Sequence, residues 1–144
     1  MAKLRQGVKA WNIWREENPN TIPHLNGADL SKVNLQGAFL ATANLEEASF
    51  EKAILWRANL ARTNLYKTNL EKAILWRTDL ERANLSEAKL LEAVLWRVRL
   101  VGASNLSVGQ LSQVKTLHEA ELDEEIRAQI ERECPHILQK PKRS

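Results

Sequence analysis

Residues 51–77 read EKAILWRANLARTNLYKTNLEKAILWR, and this stretch decides the fold. Leucine stands at every fifth position within it, beginning at Leu55 and ending at Leu75. The same spacing extends in both directions, so that every fifth residue from Leu25 to Leu100 is leucine except Phe50. A repeat this regular must be interpreted before any single element, because a missed repeat leads to the wrong fold.

A five-residue period matches neither of the common secondary structures. On an α-helix, a step of five residues rotates by about 140°, so the leucines would be spread around all sides. On a flat strand, an odd step places successive leucines on opposite faces. The chain must therefore turn between leucines, and the repeat predicts a coil with the leucines along its axis.

The positions around each leucine differ in character. The residue two places before it is small or compact in all sixteen registers, and we expect it to face inward with the leucine. The residue just before the leucine is often Asn or Asp, whose short side chain bonds nearby backbone and favours turns. The two residues after the leucine are mostly polar or charged, and we expect them to face water.

A longer repeat indicates how many fives make one turn. Residues 51–57, EKAILWR, recur unchanged at 71–77, and a variant, LEAVLWR, occupies 91–97. The spacing of 20 residues predicts a four-sided coil in which these copies lie above one another, about 4.8 Å apart. Units this short cannot fold singly, so their stability must come from the stacking of neighbouring turns.

The segments that flank the repeat lack its period. An amphipathic pattern over 3–17 predicts a helix that covers the first open end of the coil and stops at Asn18, before a proline. Residues 107–110 have the form of a capping box, and the acids of 123–125 are typical of a second helix start. The sequence therefore predicts three parts: an N-terminal capping helix in 1–23, a repeat in 24–103, and a C-terminal helical cap with a basic tail in 104–144.

The five-residue pattern resembles the pentapeptide-repeat family. Its form Ala-(Asp/Asn)-Leu-x-x is seen at residues 28–32 and 43–47, and residues 7–12 and 111–117 resemble the terminal caps of cyanobacterial members. The resemblance implies an all-β solenoid, namely a right-handed quadrilateral β-helix of about four coils with α-helical caps at both ends. The family has no common enzymatic activity, and its best understood branch mimics DNA and binds type II topoisomerases. Fold resemblance therefore does not decide function.

One face of the predicted coil departs from the repeat. Large apolar residues stand where Asn or Asp is expected, and a Trp-Arg pair follows the leucine in three successive turns. We call these nine residues the Trp face: Ile54, Trp56, Arg57, Ile74, Trp76, Arg77, Val94, Trp96 and Arg97. Monomers rarely expose an apolar surface of this size, and Trp and Arg are enriched in binding hot spots. The Trp face is therefore predicted to bind a protein partner or a second copy of the chain, since a two-fold dimer needs only one patch.

Alternatives for the Trp face remain open at this stage. The tryptophans could stack on one another and on the arginines, which would shield them without a partner. A terminal helix could also fold over part of the face. A nucleic acid is disfavoured as a partner, because the expected ladder spacing is shorter than the base spacing of an extended strand and acids are plentiful nearby.

The charge balance bears on the topoisomerase alternative. The chain has a net charge of +3, and residues 24–103 carry eleven basic against nine acidic side chains, a net +2. A DNA mimic needs a dense negative surface, so inhibition or protection of a type II topoisomerase is kept only as the alternative function. The charges also lack the strongly basic patch of a dedicated duplex-binding protein.

The sequence indicates neither catalysis nor a bound cofactor, small-molecule substrate or metal. His24, His118 and His136 are far apart and follow no metal-ligand spacing, and Cys134 is interpreted as a buried structural thiol. Carboxylates alternate with Lys and Arg, which is typical of solvated faces. No apolar run approaches the roughly 18 residues of a membrane span, and the N-terminus lacks a secretory signal. We therefore expect a non-catalytic protein in the cytoplasm, without a membrane partner.

Overall fold

The computed structural model describes residues 1–142, and its central part is a column built from four ladders of parallel backbone bridges. Each ladder steps by 20 residues as far as residue 104, as from Asn44 to Asn64 to Asn84. One turn of the column is therefore the 20-residue unit of the sequence repeat. The bridges are single residues, and no strand of ordinary length forms within residues 1–142.

The leucines fill the axis of the column. Each leucine at a fifth position from Leu25 to Leu100, together with Phe50, is buried, and the compact residues two places earlier are buried in most turns. Where that position holds threonine, the hydroxyl stays satisfied, since Thr78 Oγ1 donates to the carbonyl of Leu55 at 2.7 Å. Burying a leucine contributes about 2 kcal/mol, so the prediction that these two positions face inward also identifies the main source of stability.

The corners of the column are closed by the Asn and Asp residues that precede the leucines. Each accepts a hydrogen bond from the backbone N–H two residues later, at 2.9–3.1 Å, and they are Asp29, Asn34, Asn44, Asn59, Asn64, Asn69, Asp79 and Asn84. The second residue after each leucine is left-handed, with φ of 56° at Arg57, and its N–H donates to the next turn. This residue is exposed in the middle turns, whereas the first residue after the leucine is half-buried.

Two helices lie at the N-terminal end: α1 over Ala2–Arg5 and α2 over Val8–Glu17. The sequence predicted one helix over 3–17, but the helix is interrupted at Gly7, whose φ of 105° is incompatible with helical backbone. Leu4 and Trp11 are buried against the first turn of the column. The indole Nε1 of Trp11 donates to the carbonyl of Phe39 at 2.9 Å, which fixes α2 across the open end.

The C-terminal end holds α3 over Val108–Leu111, α4 over Glu124–Glu133 and a 3₁₀ helix over Pro135–Leu138. Ser107 and Gln110 form the capping box that the sequence predicted at the start of α3. Bridge pairing continues past residue 103, the boundary predicted for the repeat, because Thr116 pairs with Val94 and Glu121 pairs with Arg99. Two further fives, centred on Leu117 and Leu122, thus extend the column on two of its faces.

Candidate functional site

The three tryptophans of the Trp face form a continuous stack along one corner of the column. The ring centroids of Trp56 and Trp76 are 5.2 Å apart with planes 8° from parallel, and those of Trp76 and Trp96 are 5.6 Å apart at 26°. Each tryptophan follows a buried leucine and sits at a corner, so the 20-residue turn places the rings above one another. All three rings are half-buried, and their faces are largely covered by each other.

The arginines of the Trp face lie beside this stack. The guanidinium carbon of Arg57 lies 5.3 Å from the ring centroid of Trp56, and that of Arg77 lies 5.8 Å from the centroid of Trp76. Both are cation–π distances, which stabilise exposed pairs by about 0.5–1 kcal/mol. These five side chains therefore stack on one another, as one of the alternatives from the sequence predicted.

Arg97 is held differently from the other two arginines. It forms an ion pair and hydrogen bond with Glu119, and this bond is the main reason that the pKa of Glu119 is lowered. The same contact raises the pKa of Arg97. The carboxylate of Glu119 therefore stays ionised at neutral pH and neutralises the uppermost arginine of the face.

A histidine that the sequence did not assign to the site completes the stack. The ring of His118 lies 5.7 Å from that of Trp96, tilted by 58°, and its Nδ1 is 3.0 Å from the carbonyl oxygen of Leu138. His118 stands 22 residues after Trp96, two more than the repeat spacing, which hides the equivalence. The signal that could reveal it is the buried Leu117 just before it.

The indole Nε1 atoms of Trp56, Trp76 and Trp96 are buried and have no hydrogen-bond partner among residues 1–142. The indole of Trp96 lies near the Glu119 carboxylate and makes a minor contribution to the lowered pKa of Glu119, but its N–H does not form a hydrogen bond with that carboxylate. A buried donor without a partner costs about 1–3 kcal/mol. The chain thus repeats in three turns a residue whose polar atom destabilises the column.

The second ladder of the Trp face consists of Ile54, Ile74 and Val94, which pair through their backbones. Ile54 and Val94 are half-buried, and Ile74 is exposed at 39%. None of the three side chains has an acceptor for the N–H of the tryptophan two residues later. Asn34, at the foot of this ladder, accepts the equivalent hydrogen bond from the N–H of Gln36. The apolar ladder therefore replaces a closing hydrogen bond with exposed hydrocarbon.

The C-terminal segment approaches the upper end of the Trp face. Residues 140–142 lie across a hollow from Val94 and Trp96, so extended chain adjoins this end where the sequence allowed for a helix. The structure therefore brings all nine predicted residues to one side of the column and adds His118 and Glu119 to them. Arg143 and Ser144, the end of the predicted basic tail, lie outside the described residues.

Within residues 1–142, no cluster of three or more His, Cys, Asp or Glu side chains could hold a metal ion. Cys134 is buried against the core, and this burial raises the pKa of its thiol, which makes the reactive thiolate scarcer. No helix in the described part of the chain is both long and apolar enough to cross a bilayer.

A family model described as pentapeptide repeats matches the chain in eight copies, over residues 24–55, 40–77 and 78–115. These residues hold the whole Trp face and all of the four ladders except Thr116 and Glu121. The match also runs past residue 103 and ends at residue 115, directly before Thr116. Comparison with curated protein sequences gives no match.

Among solved structures, the chain is similar to cyanobacterial pentapeptide repeat proteins. HetL of Nostoc sp. PCC 7120, involved in heterocyst differentiation regulation, is 26% identical with a TM-score of 0.40 over 75% of this chain, which spans only 44% of HetL. Rfr23 of Cyanothece 51142 is 28% identical with a TM-score of 0.38, over 78% of this chain and 94% of that one. A third, alr5209 of Nostoc PCC 7120, is 26% identical with a TM-score of 0.42, over 69% and 80%.

Proposed function

Because the chain belongs to the pentapeptide-repeat family, whose members are generally non-catalytic and fold as right-handed quadrilateral β-helices, we propose that it is a scaffold that binds a protein through the Trp face. In this proposal the terminal helices are caps that protect the ends of the column. The DNA-mimic alternative requires a continuous acidic surface, and this face carries arginines instead.

The proposal rests on two features of the Trp face that lower the stability of the column. At Ile54, Ile74 and Val94 the chain omits the closing hydrogen bond that Asn34 and Thr116 accept at the two ends of the same ladder. The three indole N–H groups beside them are buried without partners among residues 1–142. Each omission costs about 1 kcal/mol or more. Asn at the ladder positions would build the same column, so the apolar side chains are best explained by a second protein that packs on them.

Replacing Ile74 with asparagine tests the proposal. The Ile74→Asn variant restores the side chain that the repeat normally has, so the column is retained while the apolar ladder is interrupted. Val101→Asn is the matched control, because Val101 is similarly exposed, at 37%, but lies at a corner outside the Trp face.

Two measurements cover the two kinds of partner. Sedimentation compares the oligomeric state of the wild type with that of both variants. Panning of a library of short random peptides against the wild type, followed by counter-selection on Ile74→Asn, searches for a different partner. A dimer or a set of selected peptides that is lost only in Ile74→Asn supports the proposal. A wild-type monomer that selects no peptide dependent on Ile74 contradicts it.

A further inference from the structure

A shallow groove runs beside the upper part of the Trp face. One hollow, of about 590 Å³, is lined by Val94, Trp96, Lys115, Thr116 and residues 140–142. A second hollow, of about 480 Å³, shares Val94 and Lys115 and extends down the column to Ile74. The groove is thus lined by apolar side chains together with lysines.

The positive charge around this groove is unbalanced. Glu92 is the acidic residue that lines it, and its carboxylate pairs with Lys72 at 3.4 Å, while Glu119 nearby pairs with Arg97. Five other cations on this side of the column form no ion pair within residues 1–142: Arg57, Arg77, Lys115, Lys140 and Lys142. A partner that fits this surface must supply carboxylates.

Building on the proposed function, we infer that the partner is an extended acidic segment of another protein, with a large apolar side chain between its carboxylates. The apolar side chain packs on Ile74 and Val94, and the carboxylates pair with Lys115 and the lysines of residues 140–142. Charge pairs of this kind steer the partner to the face and exclude neutral or basic segments.

The same charges disfavour a second copy of the chain as the partner. A two-fold dimer packs the patch of one copy on the same patch of the other, so five unpaired cations from each copy would lie in one interface. Like charges brought together across an interface cost several kcal/mol. The acidic segment removes this repulsion and buries the same apolar ladder.

The stacked rings argue against a single-stranded nucleic acid. Bases bind such proteins by lying on open aromatic faces. Here Trp76 is covered on one face by Trp56 and on the other by Trp96, and Trp96 is covered above by His118. The stack therefore offers ring edges rather than faces, which suits packing by a protein side chain.

The peptides selected by the wild-type chain provide the test. We expect them to be acidic and to contain at least one large apolar residue. The most enriched peptide is then synthesised, and its affinity is measured by calorimetry at low and high salt. In the double variant Lys115→Gln/Lys140→Gln we expect affinity to fall about tenfold or more, with weaker salt dependence. The control, Lys3→Gln/Lys9→Gln, removes two exposed charges from α1 and α2 and should bind like wild type.

The possible results separate this inference from the proposed function. Neutral or basic peptides that still require Ile74, or a wild-type dimer lost in Ile74→Asn, would overturn the acidic partner and leave the scaffold proposal standing. An oligothymidine probe that binds the wild type and not Ile74→Asn would overturn both. Both also fall if no dimer, peptide or oligothymidine binding depends on Ile74.

Discussion

The side chain of Asn12 takes the place of a missing turn of the column beneath Phe39. Its Oδ1 accepts a hydrogen bond from the N–H of Phe39 at 2.9 Å, and its Nδ2 donates to the carbonyl of Gly37, also at 2.9 Å. Trp11 supplies the remaining partner of Phe39 through its indole N–H. Side-chain atoms of α2 thus bond the backbone N–H and carbonyl of the first residue in this ladder. In higher turns, the backbone of the preceding turn makes the equivalent bonds.

Replacing Asn12 with alanine should open this end of the column. We expect the Asn12→Ala variant to lose about 1–3 kcal/mol, because two backbone groups lose their partners. Hydrogen exchange should show faster exchange at the N–H of Phe39. Lys9→Ala, an exposed change in the same helix, is the control and should leave that rate unchanged. Equal protection of Phe39 in both variants would contradict the role given to Asn12.

The axis of the column should be intolerant of lost volume. Leu75 is fully buried, so Leu75→Ala removes apolar contacts and leaves a cavity, at a cost of about 2–5 kcal/mol. Leu91 is exposed at 45%, and Leu91→Ala should change stability by less than about 0.5 kcal/mol. Urea denaturation of the two variants measures the difference, and similar midpoints would show that leucine position does not decide burial here.

The unpaired indole of Trp76 predicts an unusual ranking of two substitutions. Trp76→Phe keeps an aromatic ring in the stack and removes the buried N–H, so we expect it to lose less than about 1 kcal/mol. Trp76→Ala removes the ring entirely and should cost about 3 kcal/mol or more. Chemical denaturation ranks them. If phenylalanine were as damaging as alanine, the indole N–H would have to be bonded in solution.

The ladder position of Ile74 should tolerate asparagine. We expect Ile74→Asn to change stability by no more than about 1 kcal/mol, because a new bond to the N–H of Trp76 offsets the lost apolar contacts. Thermal melting provides the comparison, and an NMR shift of the Trp76 amide would report the new bond. Unfolding of this variant would mean that the Trp face is required by the fold itself.

The pair formed by Arg97 and Glu119 predicts a pH effect in the acid range. The pKa of Glu119 is lowered from the ordinary value of 4.5, chiefly by the hydrogen bond from Arg97. A lowered pKa in the folded state stabilises the protein above pH 4.5, and that contribution is lost as pH falls through the lowered value. An NMR titration of the Glu119 carboxyl should therefore give a higher midpoint in Arg97→Gln than in the wild type. Identical midpoints would mean that Arg97 does not act on Glu119 in solution.

The column could be predicted because its physics is periodic. A buried leucine at every fifth position and a corner hydrogen bond to Asn or Asp recur with little change from Leu25 to Leu100. Each turn therefore repeats the same pattern in the sequence. The Trp face could be predicted for the same reason, since its departure from the repeat recurs every 20 residues. That spacing also places the nine residues of the Trp face on one side of the column.

The ends could not be predicted so well, because their contacts do not repeat. The pairing of Asn12 with Phe39 joins a helix to a turn 27 residues away, and no pattern in the chain announces it. The two residues added before Thr116 shift the register, which hides the extension of the column and the place of His118. The position of residues 140–142 beside Trp96 depends on the 3₁₀ helix before them, which sequence period does not reveal.

The identity of residues 51–57 and 71–77 makes the length of the molecule adjustable in whole units. Duplicating a 20-residue segment would add one rung to every ladder, about 4.8 Å of height and one more tryptophan to the stack. Neither α2 nor α3 would need new contacts, because their side chains bond only to turns at their own end of the column. The height of the column and the length of the Trp face would therefore change only in whole turns.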